Sequence, residues 1–474
     1  MPDTIDGRGR PSSIASDSPS RTNDRPGCRI TTLVLGGVVY RRDFLVRTGH
    51  LVGAAALASA LREAHAFAPG QLEPASMSWE EFRASFNLAP DLIHMSGFFL
   101  ASHPKPVRDA IEEHRRRFDE NPIEYFFGNV EKAEAAVVAA AAHYLAVDPG
   151  DIALTDSTTM GLGLLYGGLT LGPHQEILTT THDHYSTETS LRLRAERTGA
   201  SVRRVPLYQD AADKSVDEIV DRVTRAITPQ TRVLAVTWVH SCTGVKLPLR
   251  AMADALRPIN AERDERDRVL FCVDGVHGLG VDGTTLPELG CDFFVAGCHK
   301  WMFGPRGTGL VWGSPVAWKS ATATIPTFDD ATYEMWMRIR PEAPVPIGAT
   351  MSPGGFHSFE HRWSLNRAFE LHQKIGKQAI KGRIHTLNRQ LKEGLAKMPK
   401  IKLYTPMADE LSAGIVCFDV EGMPAQQVVD RLRQRKIIAS VTPYKTLYAR
   451  LSPGLLTSPS EVETTLAAVR ALTA

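Results

Sequence analysis

Seven short apolar, β-rich runs recur between Ile152 and Trp312 with helix-like stretches between them, and no other feature of the chain restricts its fold as much. They are Ile152–Thr155, Glu176–Thr180, Ser201–Pro206, Val233–Trp238, Val269–Val273, Phe293–Ala296 and Gly309–Trp312. In two of the gaps, Val216–Ala226 and Arg250–Ile259, apolar residues fall near the helical period. Strands alternating with crossover helices predict an α/β domain built on a mostly parallel seven-stranded sheet. Ligands of such sheets gather beyond the carboxyl ends of the strands.

The large domain is expected over residues 80–355, with an Ala-rich helix at Lys132–Tyr144 and a Pro-rich, irregular close at Thr322–Gly355. A helical run from Ser364 to about Met398, strands near Gly414–Val420 and Ile437–Val441, and a helix at Pro459–Leu472 predict a smaller α+β domain over 356–474. No internal repeat interrupts this plan.

Residues 1–39 are rich in Arg, Asp, Ser, Pro and Gly and read as a disordered or mis-assigned extension, with translation starting near Val38 or Val39. Residues 40–68 read differently. Arg41-Arg42 precedes Phe44-Leu45, an apolar run Leu51–Leu61 is too short to span a bilayer, and Ala64-His65-Ala66 and Ala66-Phe67-Ala68 suit signal peptidase. Together these resemble a twin-arginine signal, cut after Ala66, and predict export through the twin-arginine machinery to the periplasm or beyond. The competing reading is an amphipathic N-terminal helix on a cytoplasmic protein. No later segment reaches eighteen apolar residues, so no membrane span is expected in the mature form.

A net charge of +1, with no basic stripe outside the N-terminus, argues against nucleic acid as a partner. The six cysteines are scattered, without a CxxC pair or zinc-like spacing, so neither a metal site nor a disulfide framework is expected. Cys298, near the chemistry below, reads best as a buried small hydrophobe.

Two strand ends carry the chemistry. Phe271-Cys272-Val273 runs into Asp274-Gly275-Val276-His277-Gly278, and one crossover later Phe293–Ala296 runs into Gly297-Cys298-His299-Lys300-Trp301. Asp274 and Lys300 therefore stand where such sheets place ligands. A lysine nucleophile needs its amine partly deprotonated, which apolar surroundings promote. A carboxylate opposite a pyridine nitrogen keeps that ring protonated and electron-withdrawing. Either residue alone reads as a surface charge; the pair, each set in apolar and Gly-rich sequence, does not.

The run Asp274–Gly278, Gly297–Trp301 and Gly304–Gly309 resembles the class V aminotransferase family of fold-type-I pyridoxal-phosphate (PLP) enzymes, which includes isopenicillin N epimerase, cysteine desulfurases and kynureninase. The resemblance extends from about His94 to Pro459. It implies PLP held as a Schiff base on Lys300, with Asp274 on the ring nitrogen and a homodimer as the assembly. Thr158 and Thr159, in Ser157-Thr158-Thr159-Met160-Gly161, match the phosphate site, a hydroxyl-rich turn opening a helix. His184 in Asp183-His184-Tyr185-Ser186 is the match for the ring that stacks on the cofactor, with Tyr185 as the fallback. His182, Asp183 and His184 also suggest a metal, but no further ligand stands at suitable spacing. His277 and Ser241, the latter where many members carry Asn, match contacts to the ring's phenolic oxygen. His299 matches a contact to phosphate or to the lysine's surroundings, and Gly297-Cys298 replaces the serine most members supply for phosphate.

Three further matches complete the set. In Phe359–Ser364 many members carry a Gly-Thr pair that reaches the partner subunit's phosphate; here Arg362 has two readings, phosphate binding or a structural pair with Glu360. Arg450 in Arg-x-Ser-Pro matches the grip on the substrate carboxylate. Asn121–Gly128 reads equally as a lining of the neighbouring site or as a packed loop.

Between Ile437 and Arg450 no cysteine stands where a desulfurase needs its nucleophile. The expected chemistry is α-proton abstraction from an amino acid or amino-acid-containing metabolite, of aminotransferase or epimerase type, with Lys300 as general base. The alternatives are an exported enzyme tailoring an amino-acid side chain of a secreted peptide such as a siderophore, and a non-catalytic PLP-binding protein.

Overall fold

The computed structural model describes residues 77–212, 214–339 and 345–473. Residues 1–39, the export signal expected at 40–68 and Cys28 lie outside them. All seven expected strands form, in one sheet: β1 (Ile152–Thr155), β2 (Glu176–Thr180), β3 (Ser201–Val205), β4 (Thr231–Thr237), β5 (Leu270–Asp274), β6 (Phe293–Gly297) and β7 (Gly309–Gly313). Their spatial order is β1-β7-β6-β5-β4-β2-β3. Six strands run one way and β7 runs the other, antiparallel to both β1 and β6. The reversal is local physics: the link from Gly297 to Gly309 contains no helix, and a parallel return needs a longer crossover. That turn holds Lys300 at the carboxyl edge of the sheet. Except for β3, the strands are buried along their whole length, as a sheet covered on both faces requires.

The C-terminal part is smaller and built around a four-stranded antiparallel sheet. Its strands are β8 (Ile401–Leu403), β9 (Val416–Val420), β10 (Ser440–Val441) and β11 (Ala449–Leu451), in the order β10-β11-β9-β8. Three sequence expectations change in detail. The helical run from Ser364 is two helices, Leu365–Ile375 and Lys377–Ala396, broken at Gly376, whose φ of 90° a side-chain-bearing residue rarely adopts. Ile437–Val441 is not one strand: Ile437–Ile438 pairs in parallel with Ile93–His94, and only Ser440–Val441 enters the small sheet. The Pro-rich stretch contains two short helices, Asp330–Trp336 and Ile347–Met351.

Candidate active site

Asp274 ends β5 and is buried, with one carboxylate oxygen accepting the Val276 N–H at 3.1 Å. Burial pushes its carboxyl up to about 6, against the opposing pull of the Val276 N–H and the Lys300 charge. Lys300 feels the reverse: burial lowers its ammonium to about 8, Asp274 resists, and Arg450 adds to the fall. Lys300 Nζ lies 3.3 Å from Nε2 of the buried His277. Burial, then the charges of Lys300 and Arg450, hold that imidazole well below its ordinary range, so it is neutral.

At the opposite end of the site the helix Thr158–Gly168 begins. Ser157 Oγ caps it by accepting the Met160 N–H at 3.1 Å, and Thr158 Oγ1 accepts the Gly297 N–H at 2.8 Å, which ties the helix start to the end of β6. The Thr159 side is exposed, and the free N–H groups of the first turn make an anion seat. A Cβ on Gly297 would come within 2.9 Å of Thr158 Oγ1 and 2.9 Å of His299 Cε1. His299 is half-buried beside this corner, its imidazole lowered by burial and by Lys300. Cys298 turns into the core, its thiol pushed up to about 12 by burial.

His184 caps the next helix, Tyr185–Thr198. Its Nδ1 accepts the Ser186 N–H at 3.3 Å and sits 2.8 Å from Ser186 Oγ, which fixes the ring. Burial and then Lys300 lower its imidazole, whereas Tyr185 is 74% exposed and turns away. Arg450 is buried and held three ways: Nε to Ser440 Oγ (3.2 Å), Nη1 to the Ser241 carbonyl (3.0 Å) and Nη2 to the Val441 carbonyl (3.0 Å). All three acceptors are neutral. Ser241 Oγ itself meets Tyr444 OH at 2.8 Å.

Lys300, Asp274, His277, His184, Ser241 and Arg450 thus come together around one space, with Thr158, Thr159 and His299 at the end where the helix Thr158–Gly168 begins. Arg362 is tied to Asp156, the residue just before the Ser157 cap of that helix. Its guanidinium contacts Asp156 Oδ1 at 3.4 Å and Glu134 Oε2 at 3.7 Å, and not Glu360, the pairing considered from sequence.

Three contributors escape a reading of the sequence alone. Asp183 accepts four hydrogen bonds, from Thr179 Oγ1, Thr180 N and Oγ1, and Thr237 N (2.6–2.9 Å), and so pins the His184 turn to the end of β4. Its flanking Thr179-Thr180 pair was the available signal. Phe98 lies under the Arg450 guanidinium at 4.8 Å and beside the His277 ring at 5.6 Å. Tyr444 stands edge-on to His184 at 6.2 Å, in the segment before Arg450 that carries no cysteine.

These residues fit PLP: a helix start for phosphate, a buried carboxylate for a cationic ring nitrogen, a lysine biased toward the free amine, and a buried guanidinium without a carboxylate partner. No grouping of His, Cys, Asp and Glu among the described residues could hold a metal.

A family model described as aminotransferase class-V matches residues 101–442. Curated relatives include isopenicillin N epimerase of Streptomyces clavuligerus, 24% identical over 83% of this chain and 98% of its own length. A probable cysteine desulfurase of Halalkalibacterium halodurans is 23% identical over 71% of this chain and 80% of its own. Among solved structures, a C-DES mutant with glycine covalently linked to its PLP cofactor matches with a TM-score of 0.73 at 20% identity, over 82% of this chain and 98% of that one. A cysteine desulfurase from Thermococcus onnurineus gives 0.71 at 19%, over 84% and 99%.

Proposed function

The chain belongs to the class V aminotransferase family and works with PLP, and from that premise we propose that it removes the α-proton of an amino acid, or of an amino-acid unit in a larger metabolite, in an aminotransferase- or epimerase-type reaction. The observation that carries this reading is Arg450, a buried guanidinium held only by neutral oxygens and close enough to Lys300 to lower its ammonium. Such a group is a seat for a substrate carboxylate, which the planar fork binds with two parallel hydrogen bonds. PLP, when bound, supplies an electron sink that acidifies the bonds at the substrate α-carbon. The helix start at Thr158 and Thr159 would hold its phosphate, Asp274 its protonated ring nitrogen, His184 its face, and Ser241 with His277 its phenolic edge. Lys300 Nζ is the proton acceptor, because burial keeps a large share of it neutral near pH 8.

The relatives named cysteine desulfurase favour a second reading, sulfur removal from cysteine. That chemistry needs a mobile, ionisable thiol. The five described cysteines are all buried, and burial pushes the thiols of Cys242 and Cys298 up to about 11 and about 12. The segment before Arg450 presents Tyr444 instead. We also infer, from the sequence, a homodimer exported by the twin-arginine route.

Purified protein given PLP should develop the visible absorption of lysine-bound cofactor, and Lys300→Ala should not. Incubation in D2O with a panel of L- and D-amino acids then decides the chemistry. Deuterium entering the α-position of an otherwise intact amino acid supports the proposal. Sulfide release from cysteine, with no α-exchange on any amino acid, sinks it. For export, the N-terminus of the mature protein should be Phe67 and the protein should appear outside the cytoplasm.

A further inference from the structure

We infer that Trp301 fixes the tautomer of His277 and thereby holds the neighbouring Lys300 as a neutral, nucleophilic amine. The inference rests on Lys300 being the cofactor lysine. Trp301 Nε1 donates to His277 Nδ1 at 3.4 Å. An indole N–H can only donate, so Nδ1 must be the unprotonated nitrogen of this imidazole. In the neutral ring the hydrogen then sits on Nε2, the atom 3.3 Å from Lys300 Nζ. An N–H aimed at an amine nitrogen is received by a lone pair, which the neutral amine has and the ammonium lacks. The opposite tautomer would offer Lys300 a lone pair instead and stabilise the ammonium.

The indole is itself held in place. A Cβ on Gly414 would lie 2.7 Å from its Cη2 and one on Gly454 3.1 Å from its Cζ3, while Phe98 stacks on it at 6.2 Å and 28°. The ring that sets the tautomer therefore has little room to turn. Other charged and titratable groups also face Lys300. Asp274 favours its ammonium and Arg450 opposes it; His184 and His299 lie close enough for Lys300 to lower their imidazoles. What singles out the Trp301–His277 pair is direction: a donor-only group on one side dictates a donor on the other.

The test uses PLP-free protein carrying 15N-labelled histidine. Long-range nitrogen–proton spectra, with His277 identified by its loss in His277→Gln, should show the Nε2–H tautomer. Trp301→Phe should shift His277 toward Nδ1–H. An Nδ1–H tautomer in the unmodified protein, or an unchanged one in Trp301→Phe, overturns the inference. A second measurement follows the pH profile of PLP capture, trapped by borohydride. Trp301→Phe and His277→Leu should raise the apparent pKa of the capturing amine by about one, slowing capture near pH 7 roughly tenfold. His277→Gln, which keeps a donor facing Lys300, should raise that apparent pKa less than His277→Leu does, and adding Trp301→Phe to it should cause no further rise. Equal, additive effects of all these changes would also overturn it. If Trp301→Phe does not fold, the contrast between His277→Gln and His277→Leu still decides. Failure of PLP to attach at Lys300 at all would bring down the functional reading, while the spectra still report the tautomer.

Discussion

Two buried arginines, Arg450 and Arg362, are 3% and 6% exposed, yet their surroundings are opposite. Arg362 faces two carboxylates, Glu134 and Asp156, and Glu134 also accepts the Trp363 indole at 3.2 Å. Arg450 ends its hydrogen bonds on one hydroxyl and two carbonyls and rests on the face of Phe98. A buried charge without a counter-charge costs several kcal/mol, so a fold keeps one only where something else completes the pair. For Arg362 the protein completes it. For Arg450 no carboxylate among the described residues does so, and under the function proposed above a substrate carboxylate would, which is why burial depth alone separates the two poorly and partner chemistry separates them well.

The sharpest way to break this contrast is to neutralise Arg450. Arg450→Gln should weaken binding of carboxylate-bearing substrates by roughly 30- to 1000-fold, about 2–4 kcal/mol, as titrated through the cofactor's absorption. The thermal midpoint of the cofactor-free protein should hold or rise, because an unpaired buried charge has gone. Unchanged substrate affinity would remove Arg450 from the site.

Arg362→Gln should do the converse. Losing the guanidinium leaves two carboxylates facing each other, and stability should fall by about 1–3 kcal/mol. The lower end is favoured because the Glu134 and Asp156 side chains keep 27% and 34% of their exposure, where solvent screens them. PLP affinity and substrate affinity should be unaffected. A loss of PLP affinity with little change in melting would instead put Arg362 on the partner subunit's phosphate, the other reading the sequence offered.

What could be read in advance follows from the range of each interaction. Six of the seven strands of the large sheet announce themselves because a strand buried on both faces must be apolar along its own length, β3 being a partly exposed edge strand with two arginines, and Asp274 and Lys300 stand out because they break such runs at their ends. The partners of Arg362 lie some two hundred residues upstream, and nothing local to Phe359–Ser364 points to them. The split of Ile437–Val441 between two sheets depends on Ile93–His94 arriving from the other end of the chain. Phe98 is the clearest case, since an apolar residue in a loop carries no mark of the cation it supports. Phe98→Leu keeps the bulk and removes the ring's negative face, worth about 0.5–1.5 kcal/mol. Substrate affinity should drop about three- to tenfold, with Trp301 and His277 losing a stacking neighbour. An effect as large as that of Arg450→Gln would mean that Phe98 shapes the whole site and not the guanidinium alone.

The smallest expected effect concerns pH. Burial raises the Glu134 carboxyl above its ordinary range, with Arg362 and the Trp363 N–H pulling it back and Asp156 pushing it further up. Its folded-state pKa thus exceeds the unfolded one, so the folded protein binds this proton more tightly, and the stability this brings is lost as pH rises through the folded pKa. Removing Arg362 deletes the strongest opposing pull and lifts that pKa again. The Arg362→Gln variant should therefore take up the Glu134 proton at a higher pH than the unmodified protein and recover part of its lost stability sooner. The difference in thermal midpoint between the two should be widest at alkaline pH, where both forms are ionised, and narrow as pH falls. Adding Glu134→Gln to Arg362→Gln should flatten this dependence. A gap that stays constant over the same range would show that Glu134 is not the carboxylate Arg362 neutralises, and the contrast with Arg450 would then rest on Asp156 alone.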